Sequence, residues 1–167
     1  HVITANKALI SKHGDMLTAI AERNRVNLEF EAAVGGGIPV LRTIKDGLAT
    51  NKINKVVGIL NGTSNYILSQ MQKTKKSFKN VLKEAQKLGF AEANPKFDLD
   101  GSDVLAKIRI LSSLSFNKKI SKNICLRNGI EDIELEDIDM AKKLGLRVKL
   151  LGITIHNLEV IKFGSQY

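Results

Sequence analysis

Apolar and polar positions along this chain change period several times, and the changes predict its elements. Val2-Ile3-Thr4 is a short β-like run. A helical stretch follows, with Leu9, Leu17 and Ile20 as its main apolar residues and an end near Asn24. Leu28 to Val34 alternates well enough for a strand. Gly35-Gly36-Gly37-Ile38-Pro39 then predicts a turn, because glycine tolerates positive φ and Pro39 suits the first turn of a helix, here Val40 to Leu48. Ile53 to Leu60 reads as a strand, and Asn61-Gly62-Thr63 supplies a turn plus a hydroxyl N-cap for a helix through Met71.

Phe78, Val81, Leu82, Ala85 and Leu88 follow helical spacing, and Gly89 is placed to end that helix as a C-cap. Phe90 to Gly101 holds Pro95 and several acidic residues, so it reads as an irregular loop feeding a helix from Ser102 to Phe116. Leu135 to Leu144 is another amphipathic helix, ended by Gly145. Arg147 to His156 and Glu159 to Phe163 read as two strands, a hairpin around Asn157. There is no internal repeat and no low-complexity linker.

At 167 residues and 43% hydrophobic, the chain has material for one sizeable core, that is, one domain with a fragment of another. Its single cysteine, Cys125, excludes an internal disulfide and a zinc cage, and fits a reducing compartment. No apolar run approaches membrane-spanning length and the first residues carry no signal-peptide pattern, so the expectation is a soluble, cytoplasmic protein without a membrane partner. The formal net charge of +9 raises the question of an acidic partner. Much of it comes from Lys73, Lys75, Lys76, Lys79, Lys83 and Lys87, beside or on the solvent side of one helix, with few aromatics to stack bases. A solvated basic face is the expectation, with no nucleic acid bound.

Candidate chemistry lies mainly between residues 89 and 107. Projected at about 100° per residue, Asp103 and Lys107 fall about 40° apart on one helix face. Val104, Ile110, Leu111 and Leu114 share that half, whereas Arg109, Ser112 and Ser113 lie opposite, so a carboxylate and an ammonium sit within the apolar stripe. Buried charge is costly unless paired or used; the pair is either a catalytic lysine with its partner or an ordinary helical salt bridge. Upstream, Glu92, Asp98 and Asp100 could recognise an amino group, hold a metal, or simply cap the next helix. Lys7 ends the first predicted strand, where open α/β folds place ligands. Asn61-Gly62-Thr63 offers backbone N–H groups and a hydroxyl at a strand-to-helix junction, or merely a capped helix. Glu31 lies within a predicted strand. His1, His13 and His156 form no metal-ligand spacing.

Taken together, Val2 to Lys7, Phe30-Glu31-Ala32-Ala33-Val34-Gly35-Gly36-Gly37-Ile38-Pro39, Gly58-Ile59-Leu60-Asn61-Gly62-Thr63-Ser64-Asn65-Tyr66-Ile67-Leu68 and Asp98-Leu99-Asp100-Gly101-Ser102-Asp103 resemble homoserine dehydrogenase, in the same order. Gly129 to Ile133 and Lys149 to Ile153 look like that family's later segments, so the resemblance covers nearly the whole chain. It implies an oxidoreductase that reduces L-aspartate 4-semialdehyde to L-homoserine with NADP or NAD as cofactor, in threonine, isoleucine and methionine biosynthesis. It implies an α+β fold, a mixed β-sheet with helices packed on one face, the substrate-binding and dimerisation domain that follows a Rossmann domain. Residues 1–35 would then be the C-terminal remnant of the nucleotide-binding domain and 36–167 the catalytic and dimerisation domain of a homodimer.

Carried over motif by motif, Lys107 and Lys7 resemble the active-site lysines, with Lys107 the acid-base group. Glu92, Asp98, Asp103 and Thr63 look like the residues that bind the small-molecule substrate, Asp103 also orienting Lys107. Lys7, Gly89, Asn61 and Gly62 fall where the family meets the cofactor. The backbone carbonyls of Glu31, Val34, Gly36 and Ile38 resemble its monovalent-cation site, for sodium or potassium. Asn94 departs from the family's usual aspartate, and no G-x-G-x-x-G pattern occurs, so a fragment inactive alone is expected. The alternatives are a non-catalytic scaffold subunit or basic binding module that keeps the fold, and a related enzyme such as an aspartate dehydrogenase.

Overall fold

The structure, a computed structural model, describes residues 1–118, 126–156 and 163–165. The described residues fall into two compact units that do not follow chain order. One takes in His1–Val56 with 106–118 and 153–156, and the other Val57–Leu105 with 126–152 and 163–165. The fold class is α+β, as expected, with helices predominant.

In the first unit, β1 (Val2–Ile3) and β2 (Leu28–Glu29) pair in parallel, Val2 opposite Leu28, with α1 (Lys7–Arg23) as the crossover. Asn6 caps α1 by accepting from the Leu9 N–H. Helix α1 buries Ile10 and Ala21, while Leu9, Met16 and Ile20 remain exposed. The strand expected over Leu28 to Val34 stops after Glu29, because Glu31–Ala33 forms a 3-10 turn. That turn aims the Glu31 carboxylate at the next helix, where its two oxygens accept the Leu41 and Arg42 N–H groups at 2.9 Å each. These are orphan donors of α2 (Val40–Arg42), which continues as a π-helical stretch, Thr43–Gly47. Pro39 is the N-cap residue of α2, one position earlier than its expected place inside the first turn. Gly35 and Gly36, at φ of 79° and 58°, make the sharp connection that an L side chain would resist.

The second unit is organised around α3 (Gly62–Thr74), which packs on α4 (Phe78–Lys87), α5 (Lys96–Leu99) and α7 (Leu135–Lys143). Ile67, Leu68 and Met71 of α3, with Val81 and Ala85 of α4 and Ile138 and Ala141 of α7, are buried. Truncating Ile67 or Met71 to alanine should therefore cost about 2–5 kcal/mol. Helix α4 ends at Gly89, with φ of +77°, where the sequence predicts it. Helix α5 occupies part of the segment expected to be irregular.

Helix α6 (Ser102–Phe116) and strands β3 (Lys55–Gly58) and β4 (Leu150–Ile155) each have residues in both units. β3 and β4 are shorter than the runs predicted for them. β5 (Phe163–Ser165) pairs antiparallel with β4, Leu150 opposite Ser165, in a three-stranded sheet ordered β3-β4-β5. Residues 159–162 and the hairpin turn expected at Asn157 lie outside the described residues. The expected polar side of α6 is corrected at Ser112, which is 1% exposed and hydrogen-bonded to Thr154 at 2.8 Å. With Val104, Ile108, Ile110 and Leu111 also buried, α6 is enclosed around most of its circumference.

Candidate functional site

Helix α3 begins at a polar side chain, Asn61, that makes three hydrogen bonds. Asn61 has extended backbone angles, φ −126° and ψ 121°, so it can cap the helix without joining it. Its Oδ1 accepts the Ser64 N–H at 2.8 Å. The hydroxyl cap expected from Thr63 is thereby corrected: the amide oxygen of Asn61 does this work, and the Thr63 hydroxyl donates to the Phe90 carbonyl at 2.9 Å.

With Oδ1 facing an N–H, the Asn61 NH2 group is fixed on the opposite side, where it donates to Asp98 Oδ1 at 2.7 Å and Asp103 Oδ2 at 3.0 Å. The Ser64 hydroxyl adds a bond to the Asp98 carbonyl at 2.7 Å. Asn61, Ser64 and Asp103 are buried, and Asp98 is half-buried. One neutral amide thus stands between two carboxylates, each gaining a donor where water is scarce.

The expected site residues divide accordingly. Asn61, Asp98 and Asp103 are brought together. Thr63 is joined to the turn after Gly89 by its bond to Phe90, whose ring stacks on Tyr66 with centroids 4.4 Å apart. Glu92, on that same stretch, has an exposed side chain, and its carbonyl accepts from the Gln86 amide at 3.2 Å. Lys107 is half-buried on α6, one turn beyond Asp103 and on its side of the helix. Lys7 is the first residue of α1, half-buried behind the Asn6 cap.

Asp100, grouped with Glu92 and Asp98 by sequence, serves a different purpose. Its Oδ1 accepts the Ser102 N–H at 2.9 Å, and its Oδ2 meets the Arg127 guanidinium at 2.6 Å. Burial pushes the Asp100 pKa up, but the hydrogen bonds from Ser102 and Arg127 and the arginine charge outweigh it, leaving the carboxyl below the usual range. Arg127 also bonds the Asp100 carbonyl and the Ser102 hydroxyl. It locks the corner between α5 and α6, whose two sides carry Asp98 and Asp103. Sequence reasoning missed Ser64, Arg127 and Lys149; the last donates to Asn65 and Ser69 on α3. Nothing local marks them, because their partners lie 25 or more residues away.

Of the expected cation ligands, the Glu31 carbonyl accepts the Val34 N–H and the Ile38 carbonyl the Val40 N–H, while Gly36 is exposed in the glycine turn. A carbonyl oxygen has a second lone pair, so these bonds do not exhaust either acceptor. Among the described residues, no group of three or more His, Cys, Asp or Glu is placed to hold a metal, and no helix is long and apolar enough to cross a membrane.

A model of the homoserine dehydrogenase family matches residues 39–163. A homoserine dehydrogenase of Neisseria gonorrhoeae is 47% identical over 154 residues, which is 92% of this chain and 35% of that protein. The crystal structure of a homoserine dehydrogenase from Thiobacillus denitrificans superposes with a TM-score of 0.90 at 46% identity, over 93% of this chain and 36% of that one. A hyperthermophilic archaeal homoserine dehydrogenase in complex with NADPH gives 0.82 at 25% identity, over 99% and 48%. The chain thus spans about a third of the length of the curated relatives it matches.

Proposed function

The chain belongs to the homoserine dehydrogenase family, and from that premise we propose that the protein carrying it reduces L-aspartate 4-semialdehyde to L-homoserine with NADPH or NADH, on the route to threonine, isoleucine and methionine. The observation that carries the reading is the buried bridge from Asn61 to Asp98 and Asp103, with Lys107 one turn further along the same helix. It leaves the half-buried Asp98 carboxylate for an amino acid's ammonium and keeps Asp103 buried one turn before Lys107 on the same helix.

The residues fit a bound nicotinamide in one respect that the backbone itself displays. At Gly62 and Gly89 no neighbouring atom stands within 4 Å of where a Cβ would be, so a flat ring can approach the main chain. Lys7 would add positive charge for the cofactor. The Asn61 side chain is committed to its carboxylates, so its share in holding cofactor falls to its backbone. When bound, reduced nicotinamide supplies the hydride.

Lys107 holds a proton at Nζ, stabilises the negative charge that develops on the substrate oxygen, and transfers that proton to it. Asp103 orients Lys107. Asp98 and Glu92 pair with the substrate ammonium, and Thr63 fixes the turn that carries Gly89 and Glu92. Residues 1–35 belong, in this reading, to the end of the nucleotide-binding domain and 36–167 to the catalytic and dimerisation domain. The protein is a cytoplasmic homodimer that binds sodium or potassium at the carbonyls of Glu31, Val34, Gly36 and Ile38. Support for the cation comes from the Glu31 and Ile38 carbonyls, each of which accepts one backbone N–H and keeps a second lone pair, on either side of the left-handed turn at Gly35 and Gly36.

The test is the full-length protein carrying this segment, assayed for oxidation of NADPH with aspartate semialdehyde. No turnover above that with an unrelated aldehyde would overturn the reading. Light scattering checks the dimer, and exchange of sodium or potassium for a bulky organic cation checks the ion.

A further inference from the structure

We infer that Asn61 is a positioning residue that sets the placement of Asp98 and Asp103, donating one amide hydrogen to each. The inference rests on the proposed function for its kinetic meaning, but its physical core is independent. Asn61 makes a bond to each carboxylate at 2.7 and 3.0 Å and accepts one backbone N–H at 2.8 Å, so both donors and one acceptor site of the amide are in use. Ser64, three residues on, grips Asp98 a second time through its carbonyl. The first turn of α3 therefore holds α5 at two points and α6 at one. Without the amide, two carboxylates would share a poorly hydrated corner with one donor fewer apiece.

The rival account is that Asn61 matters only as an N-cap, and one substitution separates the two. Asn61→Asp is nearly isosteric and keeps an oxygen for the Ser64 N–H, but replaces both donors by an acceptor. An introduced carboxylate that served only as a cap would favour its charged form, because a helix N-terminus attracts negative charge, and the variant would gain stability as pH rises. The bridge predicts the opposite sign. Beside Asp98 and Asp103 the introduced carboxyl is pushed toward its protonated form, in which it can still donate one hydrogen bond. Its folded pKa then exceeds its unfolded value, so stability is greatest at low pH and is lost as pH climbs through the folded pKa. The other charged groups in question are Lys107, one turn beyond Asp103 on α6, and Lys149, which reaches α3 at Asn65 and Ser69. At the far end of α3, Lys75 pairs with Asp139 of α7. All are common to both proteins, so their titration is shared by wild type and variant.

The experiment is thermal unfolding of full-length wild type, Asn61→Asp and Asn61→Ser between pH 5 and 8, with steady-state kinetics on each. The melting temperature of Asn61→Asp should fall relative to wild type as pH rises, and Asn61→Ser, which keeps the cap without adding charge, should show no such slope. Both should raise KM for the amino-acid substrate about tenfold or more, the scale of losing a hydrogen bond to a charged group, with kcat less affected. A melting temperature for Asn61→Asp that rises with pH or runs parallel to wild type would overturn the inference, whatever the activity. A wild type inactive on aspartate semialdehyde, with the predicted melting slope intact, would instead remove the proposed function and leave the positioning role standing.

Discussion

The Lys149 ammonium stands 2.6 Å from the Asn65 amide oxygen, and with a second bond to the Ser69 hydroxyl it ties the segment entering β4 to α3. Both acceptors are neutral. Burial, reinforced by the nearby Arg147 charge, holds the Lys149 pKa below the usual lysine range. The folded chain thus gives up this proton more readily than the unfolded chain. Stability should rise as pH climbs from the folded pKa toward the ordinary value, about 10.4. Lys149→Met should cost about 1 kcal/mol at neutral pH and flatten that alkaline rise, as read by denaturant unfolding.

Asp100 and Arg127 make the opposite case. A carboxyl held below its usual range contributes stability that is complete above its unfolded pKa, about 3.9, and is lost as pH falls through the folded one. Arg127→Ala should cost on the order of 1 kcal/mol at neutral pH, since the pair is partly exposed, and move acid unfolding to higher pH. Acid titrations followed by circular dichroism check this; coincident wild-type and variant curves would remove the clamp from the account.

Two glycines should behave differently. A Cβ on Gly129 would lie 2.4 Å from the Leu99 carbonyl oxygen and 2.9 Å from the Asp100 Cα, so backbone must move. Gly129→Ala should cost about 3 kcal/mol and disturb the α5–α6 corner. At Gly62 the space is open and the residue begins α3, so Gly62→Ala should leave the melting temperature nearly unchanged. If nicotinamide approaches there, the same variant should raise KM for NADPH in the full-length enzyme. An unchanged KM would take Gly62 out of the cofactor site.

The parts of this architecture legible in the sequence are those whose causes are local. Helices α1, α4, α6 and α7 were marked by apolar spacing, and α4 and α7 also by the glycines that follow them. The burial of Asp103 followed from projecting one helix. What failed depended on distant partners. Glu31 ended a predicted strand because its carboxylate caps a helix ten residues away. Ser112 looked solvent-facing until Thr154, 42 residues on, covered it. Asn61 read as a turn residue because its carboxylate partners lie 37 and 42 residues downstream. Asp100 joined the site carboxylates on proximity in sequence, whereas Arg127 draws it elsewhere.

The proton-transfer role makes the sharpest kinetic prediction. In the full-length enzyme, Lys107→Ala should remove most of kcat while leaving cofactor binding largely intact. In the proposed mechanism Lys107 acts on an oxygen whose charge appears only as hydride transfers, so its contribution would belong to the transition state more than to the bound substrate. Lys107→Arg should not rescue, because a guanidinium keeps its proton at any working pH. Asp98→Ala should mainly raise KM, since an ammonium-carboxylate contact holds substrate and transition state about equally. The Asn61 bridge adds a condition: removing Asp98 leaves the amide one acceptor short, so Asp98→Asn, which restores an oxygen without the charge, should recover stability but not KM. Steady-state kinetics at saturating NADPH with varied aspartate semialdehyde, beside melting temperatures of the same variants, separate these effects. Near wild-type kcat in Lys107→Ala would move the proton donor to Lys7 or to a bound water and end the mechanism as stated.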